Sequence, residues 1–145
     1  MQLDLAGRVA VVTGASKGIG FACARAFARE GARVVGVSRS AEGLAAAREA
    51  LAADGLRMET VAADLRDPGE ALAAIGEIEA TIGPIEVLVN SAGAARRYGP
   101  DELDAEGFRQ AMDAKYFTTV HMMEPVARRM AVRGPMQWTA GVNGG

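Results

Sequence analysis

The apolar run Arg8-Val9-Ala10-Val11-Val12 leads straight into Thr13-Gly14-Ala15-Ser16-Lys17-Gly18-Ile19-Gly20, and a helical pattern follows at once. No other stretch restricts the fold as strongly. It reads as a strand, a tight glycine turn and a helix start. Gly14 permits a backbone angle closed to other residues, Gly18 lets the main chain approach a ligand without a Cβ in the way, and Gly20 allows helix to pack closely on strand. The first-turn N–H groups and the positive end of the helix dipole then face the turn. That arrangement suits a pyrophosphate.

Downstream, apolar periods of two kinds alternate. Ile19, Cys23, Ala26, Phe27 and Glu30 trace the first helix, stopped by Gly31, and residues 32–37 read as a buried second strand. Ser40 caps a helix carrying Leu44, Ala47, Arg48 and Leu51 that ends at Gly55, and residues 56–63 form a third strand. Asp67-Pro68 opens a third helix through Leu72, Ile75, Ile78, Glu79 and Ile82, before a fourth strand at residues 85–89. Strands alternating with helices predict right-handed βαβ units and a parallel sheet, so the fold class is α/β.

A polar loop over residues 94–104 precedes a long amphipathic segment, residues 105–132, with Asp104 as its cap. Phe108, Met112, Lys115 or Tyr116, Thr119, Met122 or Met123 and Val126 share one side, which is expected to pack in the core. Pro125 is expected to bend or divide the helix near Val120 and His121. His121 reads as a surface or interface side chain.

Half of the 145 residues are apolar, enough for the core of a single domain spanning residues 1–145. A net charge of −2 gives no overall basic field, which argues against nucleic acid or an anionic membrane as the main partner. With no long apolar run and no basic, signal-like N-terminus, a cytoplasmic location is expected. Cys23 is the single cysteine, so an internal disulfide and a cysteine metal cluster are ruled out, and no metal site is expected.

A second motif, Asn90-Ser91-Ala92-Gly93, stands at the end of the fourth strand. Together the two motifs resemble the short-chain dehydrogenase/reductase family, whose patterns are Thr-Gly-x-x-x-Gly-x-Gly and Asn-Asn-Ala-Gly, with Ser91 in place of the second asparagine. The resemblance implies a Rossmann-like doubly wound sheet of order 3-2-1-4 that holds a dinucleotide along Gly14, Ser16, Lys17, Gly18, Ile19 and Gly20. It places Ala92 and Gly93 beside the adenosine ribose, Asn90 between neighbouring strands and the cofactor, and Asp64, followed by Leu65, as the acceptor for the adenine amino group. An NAD site carries a carboxylate where the strand after the glycine turn ends. Here that position is Ser38, followed by Arg39. With Arg39 and Lys17 able to face a 2′-phosphate and no carboxylate to repel it, NADP is favoured over NAD.

The family's hydride chemistry needs a serine after a fifth strand and a Tyr-x-x-x-Lys pair. Tyr98 is followed four residues on by Glu102, and Tyr116 by Val120, so no catalytic residue is assigned. Lys115 stands where the family usually has an asparagine that completes a proton relay. The tail, residues 134–145, reads as loop where a fifth strand should be. The expectation is therefore a sheet truncated after about four strands, followed by a long C-terminal helix. It would be weakly stable and form a homo-oligomer through residues 105–132 or the exposed fourth strand. By resemblance it binds NADP(H) and belongs to oxidoreductases that move hydride between a nicotinamide and a small carbonyl or alcohol, with a 3-oxoacyl group as the first guess. The alternatives are a catalytically silent nucleotide-binding or interaction module, or a truncated or frameshifted product.

Overall fold

A computed structural model describes residues 4–94 and 97–133. The expected tail segment lies outside the described residues. The order is β1 (Val9–Thr13), α1 (Gly18–Arg29), β2 (Arg33–Ser38), α2 (Ala41–Ala53), β3 (Met58–Ala62), α3 (Pro68–Thr81), β4 (Val87–Val89), α4 (Ala105–Met112), one π-helical segment (Asp113–Phe117) and α5 (Thr118–Val132).

The four strands are parallel and run β3-β2-β1-β4 across the sheet, as the alternation and the resemblance predict. β1 is central, with Val11 opposite both Val35 and Leu88. Side chains alternate across a strand, so one strand feeds two cores. Val9, Val11, Val35, Val37 and Val61 pack under Ala71, Ala74, Ile75 and Ile78 of α3 and Met122 and Val126 of α5. Ala10, Val12, Val34, Met58 and Val87 pack on the other face, under Ala24 of α1 and Leu44, Ala47 and Leu51 of α2. Each fully buried Val, Leu or Ile contributes about 1.5–3 kcal/mol, and the fully buried run of β1 follows from having helices on both faces.

The predicted caps form. Ser40 Oγ accepts from the Gly43 N–H at 2.9 Å, Asp67 Oδ1 from those of Gly69 at 2.7 Å and Glu70 at 3.3 Å, and Asp104 Oδ1 from that of Gly107 at 2.8 Å.

Four expectations about helices fail. Ile19 is not a core residue but is 76% exposed, and Leu72 is exposed while its neighbour Ala71 is buried. A period of three to four residues leaves the facing stripe uncertain by one position, and the packing here selects Ala71, Ala74, Ile75 and Ile78. The long segment does not divide at Pro125, which lies inside α5. Its break comes earlier, at Asp113–Phe117, where Thr118 Oγ1 reaches back to the carbonyls of Ala114 at 3.2 Å and Lys115 at 3.0 Å. Met122 and Val126, both buried, hold α5 against the sheet across the proline. Only that half of the stripe is core. Phe108, Met112, Tyr116, Phe117 and Met123 are exposed, so the core-packing expectation is wrong for the first half.

Candidate functional site

A cavity of about 580 Å³ opens at the carboxyl ends of β1, β2, β3 and β4, the end where parallel sheets bind ligands. Of the predicted site residues, Gly14, Ser16, Lys17, Ile19, Gly20, Ser38, Arg39, Asp64, Leu65, Ala92 and Gly93 line it, whereas Gly18 and Asn90 do not.

The glycine turn is built by contact distances. A Cβ on Gly20 would stand 2.1 Å from the Gly14 carbonyl oxygen, and one on Gly14 would stand 2.7 Å from the Ser91 carbonyl oxygen, so neither position accepts a side chain. Gly18 differs. Its φ is +61°, yet a Cβ there would meet nothing within 4 Å, so the chain turns beside open space. Lys17 occupies the N-cap of α1 in extended backbone, with no side-chain hydrogen bond and no acidic residue in the first turn. α2, α3 and α4 each have a Ser or Asp side chain at that position doing what Lys17 does not. A lysine cannot accept an N–H, so the start of α1 keeps its donors for something other than the capping side chain.

Thr13 carries the opposite wall. Only 1% exposed, its Oγ1 accepts from the N–H groups of Ser91 and Ala92, both at 3.0 Å, and donates to the Val89 carbonyl at 3.4 Å. One donor and two acceptor sites are thereby filled, and the Asn90-Ser91-Ala92-Gly93 turn is fastened to β1. The tie between strands expected of Asn90 is made by Thr13, while Asn90 itself is exposed. A polar residue closing a wholly apolar strand was the available signal. Lys115, in the π-helical segment, lays its stem against Gly93, where a Cβ would be 3.4 Å from Lys115 Cγ. Ala114 and Thr118 line the cavity from the same segment. π-turns inside α-helices often mark functional positions.

At the far end, Ser38 Oγ reaches Ser16 Oγ at 3.3 Å and receives the Ser40 N–H at 3.4 Å, so two small hydroxyls stand where an NAD site has a carboxylate. Lys17 and Arg39, both exposed, share this cavity. Asp64 is occupied by Arg66, with Arg66 Nη2 2.7 Å from Oδ2 and Arg66 Nε 3.0 Å from Oδ1. This fork holds the Asp64 carboxyl below its ordinary range, against the opposing pull of desolvation, and Arg39 adds a smaller push in the same direction. The same bond raises the Arg66 guanidinium further above its usual value. Sequence reasoning did not single out Arg66, because nothing in its spacing separates it from a solvated loop cation. His121, expected as a surface or interface side chain, is half-buried, with Nδ1 2.7 Å from the Leu65 carbonyl oxygen.

A central strand turning through Gly14, Gly18 and Gly20 into an uncapped helix, inside a 3-2-1-4 parallel sheet, defines a Rossmann-like protein. The chain belongs to the short chain dehydrogenase family, which it matches over residues 8–137. It is 37% identical over 131 residues to gluconate 5-dehydrogenase of Gluconobacter oxydans, a match covering 90% of this chain and 51% of that protein. It is 38% identical over 130 residues to D-threitol dehydrogenase of Mycolicibacterium smegmatis, covering 90% and 50%. Among solved structures, L-sorbose reductase of Gluconobacter frateurii complexed with NADPH and L-sorbose superposes with a TM-score of 0.82 at 32% identity, covering 92% of this chain and 51% of that one. Gluconate 5-dehydrogenase of Burkholderia cenocepacia in complex with NADP and tartrate gives 0.81 at 32%, covering 91% and 52%. The chain thus spans about half the length of the relatives it matches. No helix among the described residues is long and apolar enough to cross a membrane.

Proposed function

We propose that this chain is a single domain forming the dinucleotide-binding half of a short-chain oxidoreductase, and that it holds NADP(H) in preference to NAD(H). The observation that carries this reading is the start of α1, whose N-cap is a lysine without a capping bond, opening on a cavity shared with Arg39. The residues fit the group. The cavity along Gly14, Ile19 and Gly20 admits a pyrophosphate to the first-turn N–H groups, and Lys17, Arg39 and the hydroxyls of Ser16 and Ser38 receive the 2′-phosphate. Ala92 and Gly93 flank the ribose, Leu65 and Asp64 close the base end, and Ile19 covers the phosphates from the side. The NADPH and NADP held by the matched reductase and dehydrogenase structures support the choice of cofactor.

A bound nicotinamide supplies or accepts the hydride, and for the family reaction the acceptor is a carbonyl or the donor an alcohol. A 3-oxoacyl substrate is the expectation from sequence, but relatives named for gluconate, D-threitol and L-sorbose make a sugar ketone the first to test. The Tyr-x-x-x-Lys pair is absent from these 145 residues, which favours binding without turnover by this chain alone. The exposed Phe108, Met112, Tyr116 and Phe117 supply an apolar face for association with a second copy.

The test is fluorescence titration with NADPH and NADH. Binding of NADPH about tenfold or more tighter than NADH is expected, as one charge-assisted contact supplies, with the preference collapsing in Arg39→Ala. Equal affinities, or no binding, would refute the proposal. Consumption of NADPH with L-sorbose or a 3-oxoacyl thioester would show that this chain turns over unaided.

A further inference from the structure

The peptide between Leu65 and Arg66 joins two side chains that lie far apart in the sequence. Its carbonyl oxygen is 2.7 Å from His121 Nδ1, and its N–H donates to Asp64 Oδ1 at 3.1 Å. A carbonyl only accepts, so Nδ1 carries the proton. The peptide is planar with its C=O and N–H on opposite sides, and holding the oxygen therefore fixes the direction of the hydrogen. His121 in this way aims the Arg66 N–H at the carboxylate.

Both ends of the relay are anchored. Met122 and Val126 pack α5 into the core beside His121, and the Phe117 ring lies against the imidazole with centroids 5.9 Å apart. On the other side, the Asp64 N–H donates to Glu70 Oε2 at 2.6 Å, and the Asp64 carbonyl accepts the Asp67 N–H at 3.1 Å. Among the described residues His121 alone bonds the Leu65 carbonyl.

Asp64 keeps room for a ligand. Arg66 fills three of the carboxylate's roughly four accepting sites, with its main-chain N–H, its Nε–H and one hydrogen of Nη2. The Asp64 side chain is 29% exposed and lines the cavity, which leaves the fourth site to a donor entering there. The exocyclic amino group of adenine is such a donor. The guanidinium fork does not replace the relay, because it belongs to an exposed arginine whose own main chain is the peptide that His121 holds.

We propose that His121 is a positioning residue of the base-binding end: through the Leu65–Arg66 peptide it sets the direction of the Asp64 carboxylate, and with it the discrimination of adenine from a purine that lacks the amino group. This rests on reading the cavity as the NADP(H) site.

NADPH and its deamino analogue, with hypoxanthine in place of adenine, share every phosphate and the fluorescent dihydronicotinamide, so one titration format reads both. The unmodified chain is expected to prefer NADPH by about tenfold, the size of one charge-assisted hydrogen bond. His121→Phe keeps an aromatic ring and removes the donor, and its preference is expected to fall below about threefold while the Kd of the analogue stays the same. His121→Asn places an amide N–H where Nδ1 stood and is expected to restore a preference above that line. A residue that merely braced the loop would weaken both ligands together, so a ratio that stays above about threefold in His121→Phe overturns the inference. A ratio below that line in the unmodified chain or in His121→Asn overturns it as well. His121 is the only histidine in the sequence, so nitrogen NMR of its neutral ring tests the relay without any variant. A proton on Nδ1 is expected, and one on Nε2 overturns the inference. Should the unmodified chain bind neither dinucleotide, the cofactor reading fails and takes the inference with it, whereas failure of the inference alone leaves NADPH binding intact.

Discussion

Thr13→Val removes one hydroxyl from the core and keeps the shape of the side chain. The lost oxygen takes with it two accepted bonds, from Ser91 and Ala92 at 3.0 Å each, and a longer donated one to Val89 at 3.4 Å. A buried donor left without a partner costs about 1–3 kcal/mol. Ser91 and Ala92 are half-buried, so water recovers part of the loss and the low end applies to each. The sum is about 2 kcal/mol, roughly a thirtyfold change in the ratio of folded to unfolded chain.

Urea unfolding measures it as a lower midpoint at unchanged slope. Thr13→Ser is the control, keeping the hydroxyl and losing a methyl for about 1 kcal/mol. The valine variant should also bind NADPH less tightly, because Ala92 and Gly93 form the cavity wall that the hydroxyl holds. A valine variant within about 0.5 kcal/mol of the parent, or a serine variant less stable than the valine one, would refute the role given to the hydroxyl.

Gly18→Ala should fold at a cost of about 1–2 kcal/mol for its positive φ, since its methyl meets nothing within 4 Å. Gly20→Ala, with its Cβ 2.1 Å from a backbone oxygen, should fail to give a cooperative unfolding transition; folding of both variants would sink the account of the turn. The Asp64 carboxyl is held low, so its contribution to stability is present above the unfolded aspartate value of about 4 and is lost as pH falls through the folded value. The melting-temperature gap between the parent and Asp64→Asn should therefore be constant near neutrality and shrink in acid, and a gap that stays flat down to about pH 2.5 would contradict the sign.

The sheet was legible because β1, β2 and β4 are largely apolar runs and α2, α3 and α4 each begin with a side chain whose capping chemistry is local. Ser40, Asp67 and Asp104 could be read one at a time. What a period of three to four residues does not contain is the direction of the neighbouring layer, and that is why Leu72 and Phe108 were placed in a core they do not enter. The π-helical break was hidden for a related reason. Proline is a visible helix breaker, whereas the threonine hydroxyl that accompanies the break, Thr118 on Ala114 and Lys115, is common inside ordinary helices. In the site, backbone geometry was readable from glycines, but the engagement of Asp64 by Arg66 depends on rotamers that no spacing encodes.

Lys17 is the residue in which fold and function pull apart. Its backbone is extended, at φ −162° and ψ 170°, as an N-cap's is, so an aspartate would fit the position and could accept a first-turn N–H. A lysine there puts positive charge on the positive end of the helix dipole and caps nothing. Lys17→Asp should accordingly stabilise the ligand-free chain by about 1 kcal/mol. The same change should abolish the rise in unfolding midpoint that NADPH produces, because ligand linkage disappears when the phosphates meet a carboxylate. A ligand-free variant less stable than the parent would show that Lys17 supports the fold. A variant that still gains stability from NADPH would show that the phosphates do not sit at the start of α1.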